Sequence, residues 1–143
     1  VPVFFAADDG SCVGVAHAGW RGVAADVVGA TVAALGNAFG SQPERLSACI
    51  GPAIEWRCYE VGEDVLARVR DATAEFGEPT ERGRWRVDLR KAVRCQLERA
   101  GLTAERISVD DHCTACDEAL FFSHRRQGRP HGTMAAVIGI RRG

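Results

Sequence analysis

The first twenty-two residues constrain the fold of this chain more than any other stretch. Two apolar runs, Val1-Pro-Val-Phe-Phe-Ala-Ala7 and Cys12-Val-Gly-Val-Ala-His-Ala18, flank the segment Asp8-Asp9-Gly10. Asp-Gly between apolar runs is a hairpin signal, because glycine takes the positive φ that a tight turn needs. The spacing predicts strands over 1–7 and 12–18. The second strand ends at His17, and Gly19-Trp20-Arg21-Gly22 follows at once. From about Val23 the period changes: Val28, Val32, Leu35 and Phe39 fall four, three and four residues apart, on one helical face. Gly40 is a natural stop, and Gly29 and Gly36 inside this helix suit close packing.

Further along, Leu46–Gly51 reads as a third strand, turned by Pro52. Residues 63–76 read as a second helix, with Glu63 and Asp64 in the first turn, where they complement the helix dipole. Leu66, Val69, Thr73 and Phe76 form its inner face. Gly77–Gly83 reads as a polar loop and Trp85–Val87 as a brief strand. Asp88 is the expected N-cap of a third helix, with Leu89, Val93, Leu97 and Ala100 inward and Gly101 at its end. Ile107–Val109 and Met134–Ile140 read as strands, the latter central because it is nearly all apolar. A hairpin beside strand–helix–strand crossovers implies a mixed sheet, so the expected class is α+β, a mixed-sheet sandwich with helices covering the sheet faces. No internal repeat or linker divides the 143 residues, so one domain over 1–143 is expected.

Composition narrows the function classes. Charged residues make up 26% and the net charge is −1, which argues against nucleic acid or a membrane surface as partner. No apolar run reaches transmembrane length and no signal peptide is recognisable. The six cysteines are not spaced like a small secreted scaffold, so a reducing cytoplasm is expected. After Glu118 the chain has no acidic residue but carries Arg125, Arg126, Arg129, Arg141 and Arg142. Guanidinium forks there suit a phosphate or a carboxylate.

Four stretches carry candidate chemistry. His17 closes an apolar strand beside glycines that let backbone N–H groups approach a ligand; by spacing alone it is either a site residue or a core histidine bonded to a carbonyl. His112-Cys113-Thr114-Ala115-Cys116 contains a Cys-x-x-Cys, but no second pair completes a structural zinc site. Cys12, Cys49, Cys58 and Cys95 sit in apolar segments and read as small core residues. Phe121-Phe-Ser-His-Arg-Arg126 combines stacking surface with anion donors, which suits a pocket or, equally, a core packed under surface arginines. In Gly51–Gly62, Glu60 is a base or, more commonly, half of a surface ion pair. A Walker-type phosphate loop and a Gly-x-Ser-x-Gly elbow are both missing from the sequence.

Taken together and in order, "AHAGWRG", "GPAIEWRCYEVG", "DDHCTACDEALFFSHRR" and "GTMAAVIGI" resemble the laccase-domain family, also called multicopper polyphenol oxidase-like or YfiH-like. The resemblance spans essentially the whole chain. It implies a YfiH-like α/β sandwich and a zinc-dependent enzyme of purine nucleoside metabolism: phosphorolysis of adenosine, inosine, guanosine and methylthioadenosine with phosphate as co-substrate, and deamination of adenosine. Some family members are described as peptidoglycan editing factors. Copper is the less favoured metal, since a multicopper oxidase needs many imidazoles and this chain has four histidines. By resemblance His17 is the metal ligand and, with Arg21, catalytic; Cys113, Ser123, Arg125 and Arg126 are expected to bind substrate. The family's other two ligands lie in "VHG" and "ADC" stretches that this sequence does not contain, so the chain is expected to lack the family's N-terminal portion. Thr133 also stands where the family often has arginine. The competing expectations are a hydrolase of peptidoglycan precursors and an inert domain with an incomplete metal site. The resemblance leaves the oligomeric state open.

Overall fold

The computed structural model describes residues 1–73 and 77–141. The opening hairpin is as expected. Strand β1 (Pro2–Ala7) pairs antiparallel with β2 (Val13–His17), and Gly10 at φ +70° makes the turn. Helices α1 (Trp20–Ala24) and α2 (Val27–Phe39) follow, then β3 (Leu46–Ile50), β4 (Glu60–Val61), α3 (Glu63–Thr73), β5 (Gly77–Pro79), β6 (Trp85–Val87), α4 (Leu89–Arg99), β7 (Ile107–Val109) and the short α5 (His124–Gln127).

The larger sheet has the order β2-β1-β3-β7, with β7 parallel to β3 and the other pairs antiparallel. A smaller antiparallel sheet runs β4-β6-β5. The fold is therefore mixed α+β. Alternation along the strands decides which face is covered. Val3, Phe5, Ala16, Leu46, Ala48, Ile50 and Ile107 are buried and merge with Val23, Val28, Leu66, Val93 and Leu97 of the helices into one cluster. On the outer face Phe4 lies opposite Val15 and Cys49, and Cys49 opposite Ser108. Val15, Cys49 and Ser108 are exposed.

Several expectations are corrected. Met134–Ile140 forms no strand; Met134, Val137 and Ile140 are exposed, Val137 by 82%. Its apolar character marks a segment that favours burial, but a strand also needs a neighbour offering free backbone groups, and no described strand pairs with it. The helix expected from Val23 starts at Trp20 and breaks at Asp26, whose φ of 52° lies in the left-handed region. Phe39, in the last turn of α2, is 57% exposed rather than inward. Gly77–Pro79 joins a sheet instead of forming a loop. Gly40 and Asp88 cap as anticipated: Gly40 has φ +70°, and Asp88 Oδ1 accepts from the Lys91 amide at 2.9 Å. Phe76 and Arg142 lie outside the described residues, as does the side chain of Thr73.

Candidate functional site at the end of the hairpin

β2 ends with His17 paired to Pro2, and the Ala18 amide donates to the Val1 carbonyl at 2.8 Å. The chain then turns through Gly19, whose carbonyl accepts from the Val23 amide at 2.8 Å to open α1. A Cβ at Gly19 would come within 3.2 Å of His17 Nε2, so glycine leaves room for the ring. His17 is exposed on the wall of a cavity of about 610 Å³. Phe4, Val15, Ala53, Ile54, Thr114, Phe121 and Met134 share that wall, which makes it predominantly apolar. Partial burial lowers the His17 pKa. The ring is thus held neutral, with a lone pair available to a proton or a ligand.

A cavity of equal volume is lined by Trp56, Arg70, Glu78, Arg86, Asp88 and Lys91 and excludes every site residue expected from the sequence. The hairpin-end cavity is the better candidate: it holds the histidine and its wall suits a flat apolar ligand.

Arg21 and Arg125 do not line either cavity, but both act on Tyr59. Burial raises the Tyr59 phenol, and the charges of Arg125 and Arg21 oppose that shift. The Arg125 guanidinium lies 4.9 Å from the Tyr59 ring centre and donates to the Glu60 carbonyl at 2.7 Å. Arg21 stacks on Trp20 at 4.4 Å. Arg125 thus packs on one buried phenol that also feels the Arg21 charge, and a guanidinium there offers donors suited to an anion.

The other expected residues are engaged differently. Ser123 is buried and caps α5, its Oγ accepting from the Arg126 amide at 3.4 Å. Arg126 spends its guanidinium on the carbonyls of Thr114, Ala115 and Phe121 and so braces the 113–121 loop. Cys113 is buried beside Ala53, facing Cys58 and Cys116; its neighbour Thr114 lines the cavity instead. Glu60 forms a loose pair with Arg86 at 3.9 Å. Sequence reasoning missed Tyr59 and Cys58. The only cue was the "RCYEVG" run itself, since Cys116 and Arg125 lie more than fifty residues away in sequence and Arg21 more than thirty.

Comparison with known proteins agrees with this architecture. Residues 1–141 match the family described as multi-copper polyphenol oxidoreductase laccase. A purine nucleoside phosphorylase of Xylella fastidiosa is 49% identical over 143 residues, covering 98% of this chain and 53% of that protein. An adenosine deaminase, RL5, from an unknown prokaryotic organism is 34% identical over 132 residues, covering 90% and 50%. The crystal structure of YlmD from Geobacillus stearothermophilus superposes with a TM-score of 0.82 at 39% identity, covering 87% of this chain and 48% of that one. The chain thus spans about half the length of the relatives it matches. Its ordered motifs, the matching family and the superposed fold agree: the chain belongs to the multi-copper polyphenol oxidoreductase laccase (YfiH-like) family.

Proposed function

We infer that this chain belongs to a purine nucleoside phosphorylase that also deaminates adenosine. The observation carrying the reading is His17, held neutral at the mouth of an apolar cavity of about 610 Å³, in a chain 49% identical to a purine nucleoside phosphorylase. A cavity of several hundred Å³ with few polar groups fits a nucleoside. Phe4, Ile54 and Phe121 would contact the base, and Arg21 and Arg125 around Tyr59 would hold phosphate or the ribose end. Neutral His17 can accept a proton at its ring nitrogen from a bound hydroxyl or water. Ser123 and Arg126 would position the loop that carries Thr114 and Phe121.

The resemblance implies zinc at His17. Among the described residues no two further ligating groups join His17, and a catalytic zinc needs three protein ligands. The residues present do not fit the ion, and no step is routed through it. The missing co-ligands also favour a second reading, a domain inert by itself. All six cysteines are free, which fits a reducing cytoplasm, and no described helix is long and apolar enough to cross a membrane.

The test is turnover of inosine with phosphate and of adenosine to ammonia. His17→Ala is expected to abolish both. Arg21→Ala and Arg125→Ala should raise KM for phosphate about tenfold or more, since a lost charge-assisted bond is worth about 1.5–3 kcal/mol. Unchanged turnover in His17→Ala would overturn the reading. Turnover of a muramyl peptide alone would replace it with a hydrolase of peptidoglycan precursors.

A further inference from the structure

Away from His17, three cysteines from two segments converge. The Sγ atoms of Cys58, Cys113 and Cys116 all lie within 4.8 Å of one another, and Cys58 Sγ is 3.4 Å from Cys116 Sγ. Among the described residues this is the only grouping of three His, Cys, Asp or Glu ligand atoms. Zinc–sulfur bonds of about 2.3 Å in a tetrahedral arrangement place sulfurs about 3.8 Å apart. The Cys58–Cys116 separation of 3.4 Å and the 4.8 Å limit on all three pairs keep the sulfurs within about 1 Å of that value, so small rotations of the side chains would suffice.

The backbone around the cluster suits thiolates. Cys113 Sγ accepts from the Glu55 amide at 3.3 Å. Within its own Cys-x-x-Cys turn the Cys116 amide donates to the Cys113 carbonyl at 3.1 Å, and the Ala115 and Cys116 amides also favour the Cys113 thiolate. Burial alone would raise the Cys113 thiol, but these donors outweigh it and hold its pKa below the ordinary value. Cys116, sharing hydrogen bonds with Cys58 and Cys113, is pushed up to about 12. Burial raises Cys58 as well. The loop is rigidly held: Arg126 donates to the carbonyls of Thr114 and Ala115, Arg90 to those of Ala53 and His112, and Ala53 bridges to Cys113.

We propose that Cys58, Cys113 and Cys116 form a binding site for a thiophilic cation, separate from His17. Three thiolates select zinc(II) or copper(I) over hard cations. On binding, each thiol gives its proton to solvent as its sulfur–metal bond forms. No electron is transferred. Cys116 is exposed, which leaves a further coordination position to water. The site does not depend on the nucleoside reading.

The test uses the reduced, metal-stripped protein titrated with zinc alone. Uptake of one zinc per chain is expected, with proton release and protection of thiols from alkylation. Cobalt substitution should add a thiolate-to-metal charge-transfer band. Cys58→Ser and Cys116→Ser should each lose the zinc and the band. His17→Ala, Cys49→Ser and Cys95→Ser should keep both. Cys116 is exposed, so its variant folds and decides the matter if Cys58→Ser does not. A parallel titration with copper(I) under reducing, anaerobic conditions identifies which cation binds more tightly. No uptake by the reduced protein, uptake unchanged in Cys116→Ser, or uptake lost in His17→Ala would overturn the proposal. A Cys58–Cys116 disulfide forming in air while the reduced protein takes up neither cation would assign the cluster to redox chemistry instead. Absence of nucleoside turnover in the unsubstituted protein, with cysteine-bound zinc present, would count against the nucleoside reading alone.

Discussion

His17 shows how position sets the chemistry of a single residue. Burial against the cavity wall disfavours the imidazolium, so the folded-state pKa falls below 6.5. Below pH 6.5 the unfolded chain takes up a proton that the folded ring refuses, so protons favour unfolding. The stability contributed by neutral His17 is therefore complete above pH 6.5 and lost as pH falls toward the folded pKa. A ring-proton NMR titration should give a midpoint below 6.5. Chemical denaturation should show the acid-side loss shrinking in His17→Asn. A midpoint at or above 6.5 would contradict the placement of the ring. The residue type and its strand-end position were legible in the sequence. Its protonation state was not, because the desolvating wall comes from Phe121 and Ile54, far along the chain.

Among the elements, the break between α1 and α2 shows a local rule overridden. Asp26 adopts φ 52° and its carboxylate lies over Gly29, where a methyl group would overlap it. One carboxylate oxygen, Oδ1, is buried without a hydrogen-bond partner. Glycine inside a helix normally costs about 1 kcal/mol relative to alanine, so Gly29→Ala would stabilise an isolated α2. Here the Asp26 carboxylate must swing aside to admit the methyl group, which offsets much of that gain, so the variant should change stability by less than about 1 kcal/mol in a denaturant melt. In an Asp26→Gly background the same change should become stabilising, and a double-mutant cycle would read that coupling. Additive effects would show that the carboxylate does not occupy the space. The sequence marks Gly29 as a packing glycine but leaves its neighbour unnamed, because a left-handed aspartate between two helical segments has no periodic signature.

Across the whole molecule, Gln96 ties the layers together. It sits in the apolar core 1% exposed, and its Nε2 donates to the Val23 carbonyl of α1 at 2.6 Å. That carbonyl also accepts from the Asp26 amide at 3.1 Å, so losing the glutamine would not orphan it. The side chain's volume therefore matters more than its polarity. Gln96→Ala should cost about 2–3 kcal/mol through the cavity it leaves, whereas Gln96→Met should cost less than about 1 kcal/mol. Equal losses in calorimetry would assign the contribution to the hydrogen bond instead. Gln96 lies one position from the expected inward stripe of Leu89, Val93 and Leu97, and polarity hid it.

By itself the sequence determined the hairpin, the caps at Gly40 and Asp88, the buried stripes of Val28, Val32 and Leu35 and of Leu89, Val93 and Leu97, and the family. Each of these rests on residues that are close in the chain or on ordered motifs, where backbone preference and period act locally. The tertiary structure alone decided the rest. It left Met134–Ile140 without a described strand to pair with, set Arg21 and Arg125 about Tyr59, and joined Cys58 to a Cys-x-x-Cys that looked incomplete. Those outcomes depend on which distant surfaces meet, and no local periodicity encodes that.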